Sequence, residues 1–296
     1  MKTLEIGKRI EFANILFATD FSPYSNAAQP YVLAIAKKYR AKVYGAHVLP
    51  GDVYVFVSPE SWPAFVEAED EIRKHDIARL DQQLHEVPHE TLTAIGDVWE
   101  SLRQLVQEHQ IDLLVVGTHG RTGTRRLLMG SVAEKIFRNA SCPVMTVGPQ
   151  VPAQPQAQAG FRQILLATDF GEGAEAAAAY AISIAQEHHA RLSVLHVLSQ
   201  AKAGTVDFEP DTAFEMQRLQ ELVPKDCGLE FGPDYFVEFG IPEEQIVDFA
   251  GKRGTDLLVM GAHTPHTRLG RVTNFTHTTA QHIVAQASCP VLTVRG

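Results

Sequence analysis

Ile15-Leu16-Phe17-Ala18-Thr19-Asp20-Phe21 returns as Ile164-Leu165-Leu166-Ala167-Thr168-Asp169-Phe170, 149 positions further along the chain. The apolar run into Thr-Asp-Phe reads as a strand end, and the continuous apolar run Leu113-Leu114-Val115-Val116 is what a strand covered on both faces by helices should look like. Three more landmarks recur in the same order. Ala46-His47-Val48-Leu49 is matched by Leu195-His196-Val197-Leu198, and Asp112-Leu113-Leu114-Val115-Val116-Gly117 by Asp256-Leu257-Leu258-Val259-Met260-Gly261. Ser141-Cys142-Pro143-Val144 is matched by Ser288-Cys289-Pro290-Val291. A repeat of this length in 296 residues predicts two domains, 1–150 and 161–296. The linker is 151–160, whose prolines stiffen it and whose small and amide side chains leave little to bury.

Within the first copy, short β-branched runs near 13–18, 42–48, 90–95, 112–116 and 143–147 alternate with helical periodicity near 24–39, 64–86, 97–109 and 131–139. Such alternation builds βαβ units, so each copy is expected to be α/β, a five-stranded mainly parallel sheet with helices on both faces. Ser22-Pro23 supplies a capping hydroxyl followed by proline in the first helical turn. The second copy has Gly171-Glu172-Gly173 there, a weaker entry. Ligands of such sheets sit beyond the carboxyl ends of the strands.

Composition narrows the function classes. Lys+Arg 26 against Asp+Glu 35 leaves a net charge of −9, too acidic for a broad phosphate-backbone surface, so no nucleic acid is expected as partner. Hydrophobic residues at 45% and charged ones at 21% are ordinary for a globular protein and exclude a disordered chain. Cys142, Cys227 and Cys289 form neither a disulfide framework nor a CxxC metal knot, which fits a reducing, cytoplasmic setting. The opening residues, with Lys2, Glu5, Lys8 and Arg9, do not read as a signal peptide, and no apolar run approaches the roughly 18 residues of a membrane helix.

The strand ending at Val116 is followed by Gly117-Thr118-His119-Gly120, nine residues from Arg121 to Met129, and then Gly130-Ser131-Val132 at a helix start. Glycines let backbone N–H groups approach phosphate oxygens, and a hydroxyl at a helix N-terminus adds to a site already favourable to anions. Arg121, Arg125 and Arg126 supply local positive charge. The bland alternative is a glycine turn after a strand. Asp20 can likewise be a turn cap, Val48 an ordinary strand residue, His47 and His196 satisfied core histidines, and Cys142 and Cys289 small hydrophobes. Neither a GxxxxGK[ST] loop nor a GxGxxG fingerprint is present.

Ala18-Thr19-Asp20-Phe21-Ser22, the G-x2-G-x9-G-S spacing and Ser141-Cys142-Pro143-Val144 together resemble the universal stress protein family, over nearly the whole chain and in two tandem copies. The resemblance implies Rossmann-like or flavodoxin-like domains and, in the ATP-binding branch of the family, a nucleotide site. Carried over, it implies Gly117, Gly120, Gly130, Ser131 and Val132 around the phosphates of ATP, with or without Mg. His119 and Arg121 lie within that loop, Asp20 near the ribose beside Ala18 and Thr19, and Val48 near adenine. It also implies pairing through the last strand, either between the two domains of one chain as a pseudo-dimer or in a homodimer.

The second copy departs from this pattern. Gly261-Ala262-His263-Thr264 loses the second glycine, and the closing Gly-Ser falls on His277-Thr278 or Asn274-Phe275, depending on where an insertion is placed. ATP binding is therefore expected in the first domain only, with Asp169 retained. His263, His266, His277 and His282 raise a metal reading, which irregular spacing and the lack of a nearby cysteine disfavour. The expected class is a nucleotide-dependent stress-response module with no assigned catalytic residue and no assigned metal ligand. The rivals are a slow ATP-hydrolysing or phosphoryl-transferring enzyme, with His119 and Asp20 as the only nearby groups, and a metal or metabolite sensor centred on the second domain.

Overall fold

The computed structural model describes residues 9–51, 62–118, 130–152, 160–199, 212–262 and 279–296. The first half runs β1 (Asn14–Ala18), α1 (Pro23–Asn26), α2 (Gln29–Tyr39), β2 (Lys42–Pro50), α3 (Trp62–Leu84), β3 (His89–Gly96), α4 (Val98–Glu108), β4 (Leu113–Gly117), α5 (Ser131–Asn139) and β5 (Val144–Val147). The second runs β6 (Gln163–Ala167), α6 (Ala174–His188), β7 (Arg191–Ser199), α7 (Thr212–Leu222), β8 (Asp234–Gly240), α8 (Pro242–Arg253), β9 (Leu257–Ala262), α9 (Thr279–Gln286) and β10 (Val291–Arg295).

Each half is a parallel five-stranded sheet, and the two join edge to edge in the order β3-β2-β1-β4-β5-β10-β9-β6-β7-β8. Among the described residues the seam is the single antiparallel pairing, with Val291 opposite Thr146, Leu292 opposite Met145 and Thr293 opposite Val144. Because the halves meet antiparallel, the carboxyl ends of their strands face opposite ways. Edge strands carry unpaired backbone groups that invite pairing, and here each half covers one edge of the other.

The apolar runs of β1 and β6 bury alternate residues on opposite faces, as the period of two requires. Ile15 and Phe17 join Ile164 and Leu166 in one core that passes through both halves and is roofed by α2 and α6. Leu16 belongs to a separate core on the other face with Leu102, Leu114 and Ile136. Leu165 belongs to its counterpart with Leu258, Ile283 and Val284. Ile15, Leu16 and Phe17 are fully buried, each worth about 1.5–3 kcal/mol by removal from water. The alanines of α6, among them Ala177, Ala178 and Ala181, allow that helix to lie close on the shared face.

The repeated aspartates fasten strand starts. Asp112 Oδ2 accepts from the amides of Ala13 and Asn14, both at 2.9 Å, and Asp256 Oδ2 accepts from those of Arg162 and Gln163 at 2.8 and 2.9 Å. The single helix expected over 24–39 is broken at Ala27–Ala28. Pro30 has no N–H to return to Asn26, so a new helix begins there with proline in its first turn. The segment before β1 crosses to the second half, where the Ile10 amide donates to Ser183 Oγ at 2.7 Å and Arg9 pairs with Glu187. Among the described residues, no helix is long and apolar enough to cross a membrane.

Candidate functional site

In a strand order of 3-2-1-4-5 the crossovers reverse direction between β1 and β4, which opens a crevice at their carboxyl ends. A cleft of about 350 Å³ lies there. Its floor is the end of β1 with Thr19 and Asp20, one wall is β2 from Ala46 to Pro50, and another is β4 from Val116 to Thr118 with the first turn of α5. Val98, Leu102 and Ile136 close the apolar side. Ala18, Thr19, Asp20, Val48, Gly117, Gly130, Ser131 and Val132, scattered over more than a hundred positions of sequence, all line it. His119, Gly120 and Arg121, with Arg125 and Arg126, lie outside the described residues.

Local chemistry explains how these residues are held. Ser22 caps α1, its Oγ accepting from the Ser25 amide at 3.2 Å, and proline follows in the first turn. Asp20 Oδ1 accepts from the Ser22 amide at 3.0 Å, so its carboxylate closes an Asx-type turn as well as lining the cleft. Thr19 Oγ1 pairs with Ser25 Oγ at 2.9 Å and accepts from the Phe21 amide at 2.9 Å. The N-cap of α5 is Gly130, which brings no side-chain hydrogen bond to the helix. The first-turn amides of Ser131, Val132 and Ala133 have no carbonyl within their own helix, and the positive end of the helix dipole adds to them. Those amides and the dipole make this end of the cleft electropositive, while Val48 on β2 and Val98 and Leu102 on α4 make the walls apolar.

Two glycines of the motif owe their place to different demands. Gly117 lies against α1: a Cβ built on it would stand 2.7 Å from Tyr24 O and 2.9 Å from the Ser25 backbone. Its small size therefore serves packing between β4 and α1. Gly130 has φ −61° and ψ 152°, which any residue can adopt, so backbone conformation does not require glycine there.

The second half repeats the floor. Asp169 Oδ1 accepts from the Gly171 amide at 2.9 Å, and Thr168 Oγ1 accepts from the Phe170 amide at 3.0 Å. At the matching strand end Gly261 and Gly173 touch backbone to backbone, a Cβ on Gly261 falling 2.9 Å from the Gly173 carbonyl carbon. As the sequence suggests, α6 starts without a side-chain cap. His263, Thr264, His266, Asn274, Phe275, His277 and Thr278 lie outside the described residues. His282 contacts Gln286 Nε2 at 2.6 Å and stands 3.9 Å from Glu243. Among the described residues, no group of three or more His, Cys, Asp or Glu is placed to hold a metal.

His47, and Asp76, which sequence reasoning passed over, complete the floor from beneath. His47, read as a satisfied core histidine, is satisfied only at Nδ1, which bonds Thr19 O at 2.7 Å; Nε2 faces Asp76 on α3 at 3.7 Å. The signal was available: Asp76-Ile77-Ala78-Arg79-Leu80 has a counterpart in Glu215-Met216-Gln217-Arg218-Leu219, an acid, an arginine and a leucine at equal spacing in both copies.

Comparison with known proteins agrees with this architecture. The model of the universal stress protein family matches residues 11–148 and again 160–295. A universal stress protein of Methanocaldococcus jannaschii is 32% identical over 139 residues, covering 46% of this chain and 82% of its own. One from Thermus aquaticus is 36% identical over 140 residues, 46% of this chain and 99% of its own. A universal stress protein structure from Archaeoglobus fulgidus superposes with a TM-score of 0.74 at 16% identity, over 95% of this chain and 98% of that one.

Proposed function

Given that the chain belongs to the universal stress protein family in two tandem copies, we infer that its first half binds ATP and acts as a nucleotide-dependent regulatory module in the stress response. The observation that carries this reading is the pairing, in one cleft, of the α5 N-terminus with the Asp20 turn and an apolar wall. The chemistry fits a nucleotide. Phosphates match the amides of Ser131 to Ala133 and the Gly130 backbone, ribose hydroxyls match Asp20, and adenine matches the apolar side around Val48. His119, Gly120 and Arg121 belong to the same phosphate side in this reading, and Mg²⁺, when it accompanies ATP, neutralises phosphate charge.

The residues at hand serve binding more than turnover. Phosphoryl transfer requires a group that positions the nucleophile. Asp20 accepts from Ser22 in its own turn, and His119, the other candidate for that role, lies outside the described residues. The second half, whose glycine pattern has diverged, serves as the partner of an internal pseudo-dimer, the seam taking the place of a homodimer contact. The reading also includes domain limits of 1–150 and 161–296 and a cytoplasmic location.

Mg-ATP at about 100 times its Kd should stabilise the protein by roughly 2.7 kcal/mol, a clear rise in melting temperature. Gly130→Asp tests the phosphate end. Asp is a favoured N-cap residue, so the fold should survive while its carboxylate repels phosphate. The thermal shift should vanish in this variant, and calorimetry on the native chain should give one ATP per chain. A full shift in folded G130D, or two sites per chain, would overturn the assignment.

A further inference from the structure

The turn that carries Asp20 passes through Phe21, whose φ of 61° lies in the left-handed region that residues with a Cβ avoid. Something must hold it there. The Phe21 ring packs against both the imidazole of His47, with centroids 4.8 Å apart, and the guanidinium of Arg79, 4.4 Å from the ring centroid. Arg79 Nη2 also reaches Phe21 O at 3.5 Å.

Beneath this clamp is a hydrogen-bonding asymmetry. Thr19 O can only accept, so His47 Nδ1 carries a hydrogen and donates it at 2.7 Å. Nε2 then faces Asp76 Oδ2 at 3.7 Å, and both atoms are buried with no hydrogen-bond partner. His47 is 2% exposed and Asp76 7%. A lone pair on Nε2 would confront a carboxylate lone pair in a dry place. A hydrogen on Nε2 turns the confrontation into a donor and an acceptor, with Asp76 gripping the imidazole from α3. Among the described residues His75 also stands beside Asp76, its Nδ1 3.8 Å from Oδ1 and its side chain exposed.

The same device occurs in the other half. Phe170 has φ 59°, its ring centroid is 4.8 Å from that of His196, and Arg218 lies 3.8 Å from it. His196 Nδ1 bonds Thr168 O at 2.8 Å, and Nε2 stands 4.0 Å from Glu215 Oε2. The acid differs and its Oε2 also accepts from Arg218 Nη1 at 2.9 Å, yet the contacts of Phe170 with histidine and arginine are kept in a repeat whose glycine pattern has diverged. The feature thus follows the aspartate turn and is independent of the glycine motif.

We propose that Asp76 is a positioning residue for the cleft: acting through His47, it fixes the Thr19 carbonyl and the Phe21 turn, and so the presentation of Asp20. What the cleft binds rests on the nucleotide reading above; the hold on the turn does not.

Full-length Asp76→Asn removes the charge and keeps the shape, and Asp76→Glu supplies the acid that the other half uses. Nitrogen-15 NMR of the ligand-free protein reads the His47 imidazole and the amides of Thr19, Asp20 and Phe21, and calorimetry reads Mg-ATP affinity. In the wild type both His47 nitrogens should carry hydrogen. D76N should reduce this to one, move the three amides and leave those of Thr168, Asp169 and Phe170 in place. It should also weaken Mg-ATP about tenfold or more, the scale of a lost bond to a charged group, and D76E should restore signals and affinity. A wild-type His47 carrying a single hydrogen overturns the proposal, whether or not D76N folds. So do unmoved turn amides in folded D76N, or a D76E that behaves no better than D76N. A wild type that fails to bind Mg-ATP counts against the nucleotide reading alone, and the ligand-free spectra still decide the hold on the turn.

Discussion

Thr146 and Thr293 bond reciprocally across the seam between the halves, the Oγ1 of Thr146 donating to Val291 O and that of Thr293 to Val144 O, each at 3.2 Å. The two threonines are repeat mates, so the contact has the self-complementarity of a two-fold interface written into one chain. Both are buried. Behind them Arg295 Nη2 donates to Phe137 O of α5 at 2.7 Å, a bond from one half to the helix of the other.

With only three residue pairs in the seam register, the hydroxyls are a substantial part of its hydrogen bonding. Thr146→Val with Thr293→Val keeps the volume and removes both donors. The double variant should lose about 1 kcal/mol per bond in urea unfolding. An unchanged midpoint would mean that the hydroxyl bonds add nothing to the backbone ladder and apolar contacts of the seam.

Two glycines should respond in opposite directions to alanine. At Gly117 a Cβ meets the backbone of Tyr24 and Ser25, atoms that cannot move without shifting α1, so Gly117→Ala should cost about 1–3 kcal/mol. At Gly251, inside α8, a Cβ meets nothing within 4 Å, and Gly251→Ala should raise stability by up to about 1 kcal/mol. Thermal melts of both variants, free of nucleotide, check the pair. A G117A protein as stable as the wild type would return Gly117 to a role in ligand approach only.

How much of this was legible in the sequence depended on whether the information was local. The strands showed because Ile15-Leu16-Phe17 and Leu113-Leu114-Val115 are buried on both faces, and continuous apolar runs leave few other conformations open. The residues lining the cleft were reachable because a strand, a turn and a helix start are each marked by glycine, aspartate or serine. The break at Ala27–Ala28 was not, since Pro30 fits equally in the first turn of a second helix and in a kinked single one. Nor was the continuous sheet: nothing in Val144–Val147 says whether its edge pairs with β10 or with another chain. His47 was misjudged at one nitrogen because its second partner, Asp76, lies on a helix remote in sequence.

Burial sets the reactivity of the thiols. It pushes Cys289 up to about 12, and Cys142 likewise, so neither offers thiolate at neutral pH. Cys142 and Cys227 are both partly exposed, and Cys227 is raised as well, by a lighter burial. Titration of the native protein with an aromatic disulfide at pH 8 should show Cys227 reacting first, Cys142 more slowly, and Cys289 only once denaturant is added. Three thiols reacting at one rate in the native protein would contradict the buried placement of Cys289.

His188 should govern stability in mild acid. Its Nδ1 accepts from the Phe161 amide at 3.2 Å, Nε2 is buried without a partner, and the ring sits between Tyr39 and Phe161 where the halves share a core. Burial, assisted by the nearby Lys38 charge and partly opposed by Glu187, lowers it from 6.5 to about 4. The folded state thus refuses a proton that the unfolded chain accepts between those values. Stability contributed by the neutral ring is complete above about pH 6.5 and declines as pH falls toward 4, by on the order of 3 kcal/mol at most. His188→Asn keeps an acceptor for the Phe161 amide and removes the titration. Urea unfolding followed from pH 7 to pH 4 should fall steeply in the wild type and more shallowly in H188N, and parallel curves would show that the acid sensitivity arises elsewhere.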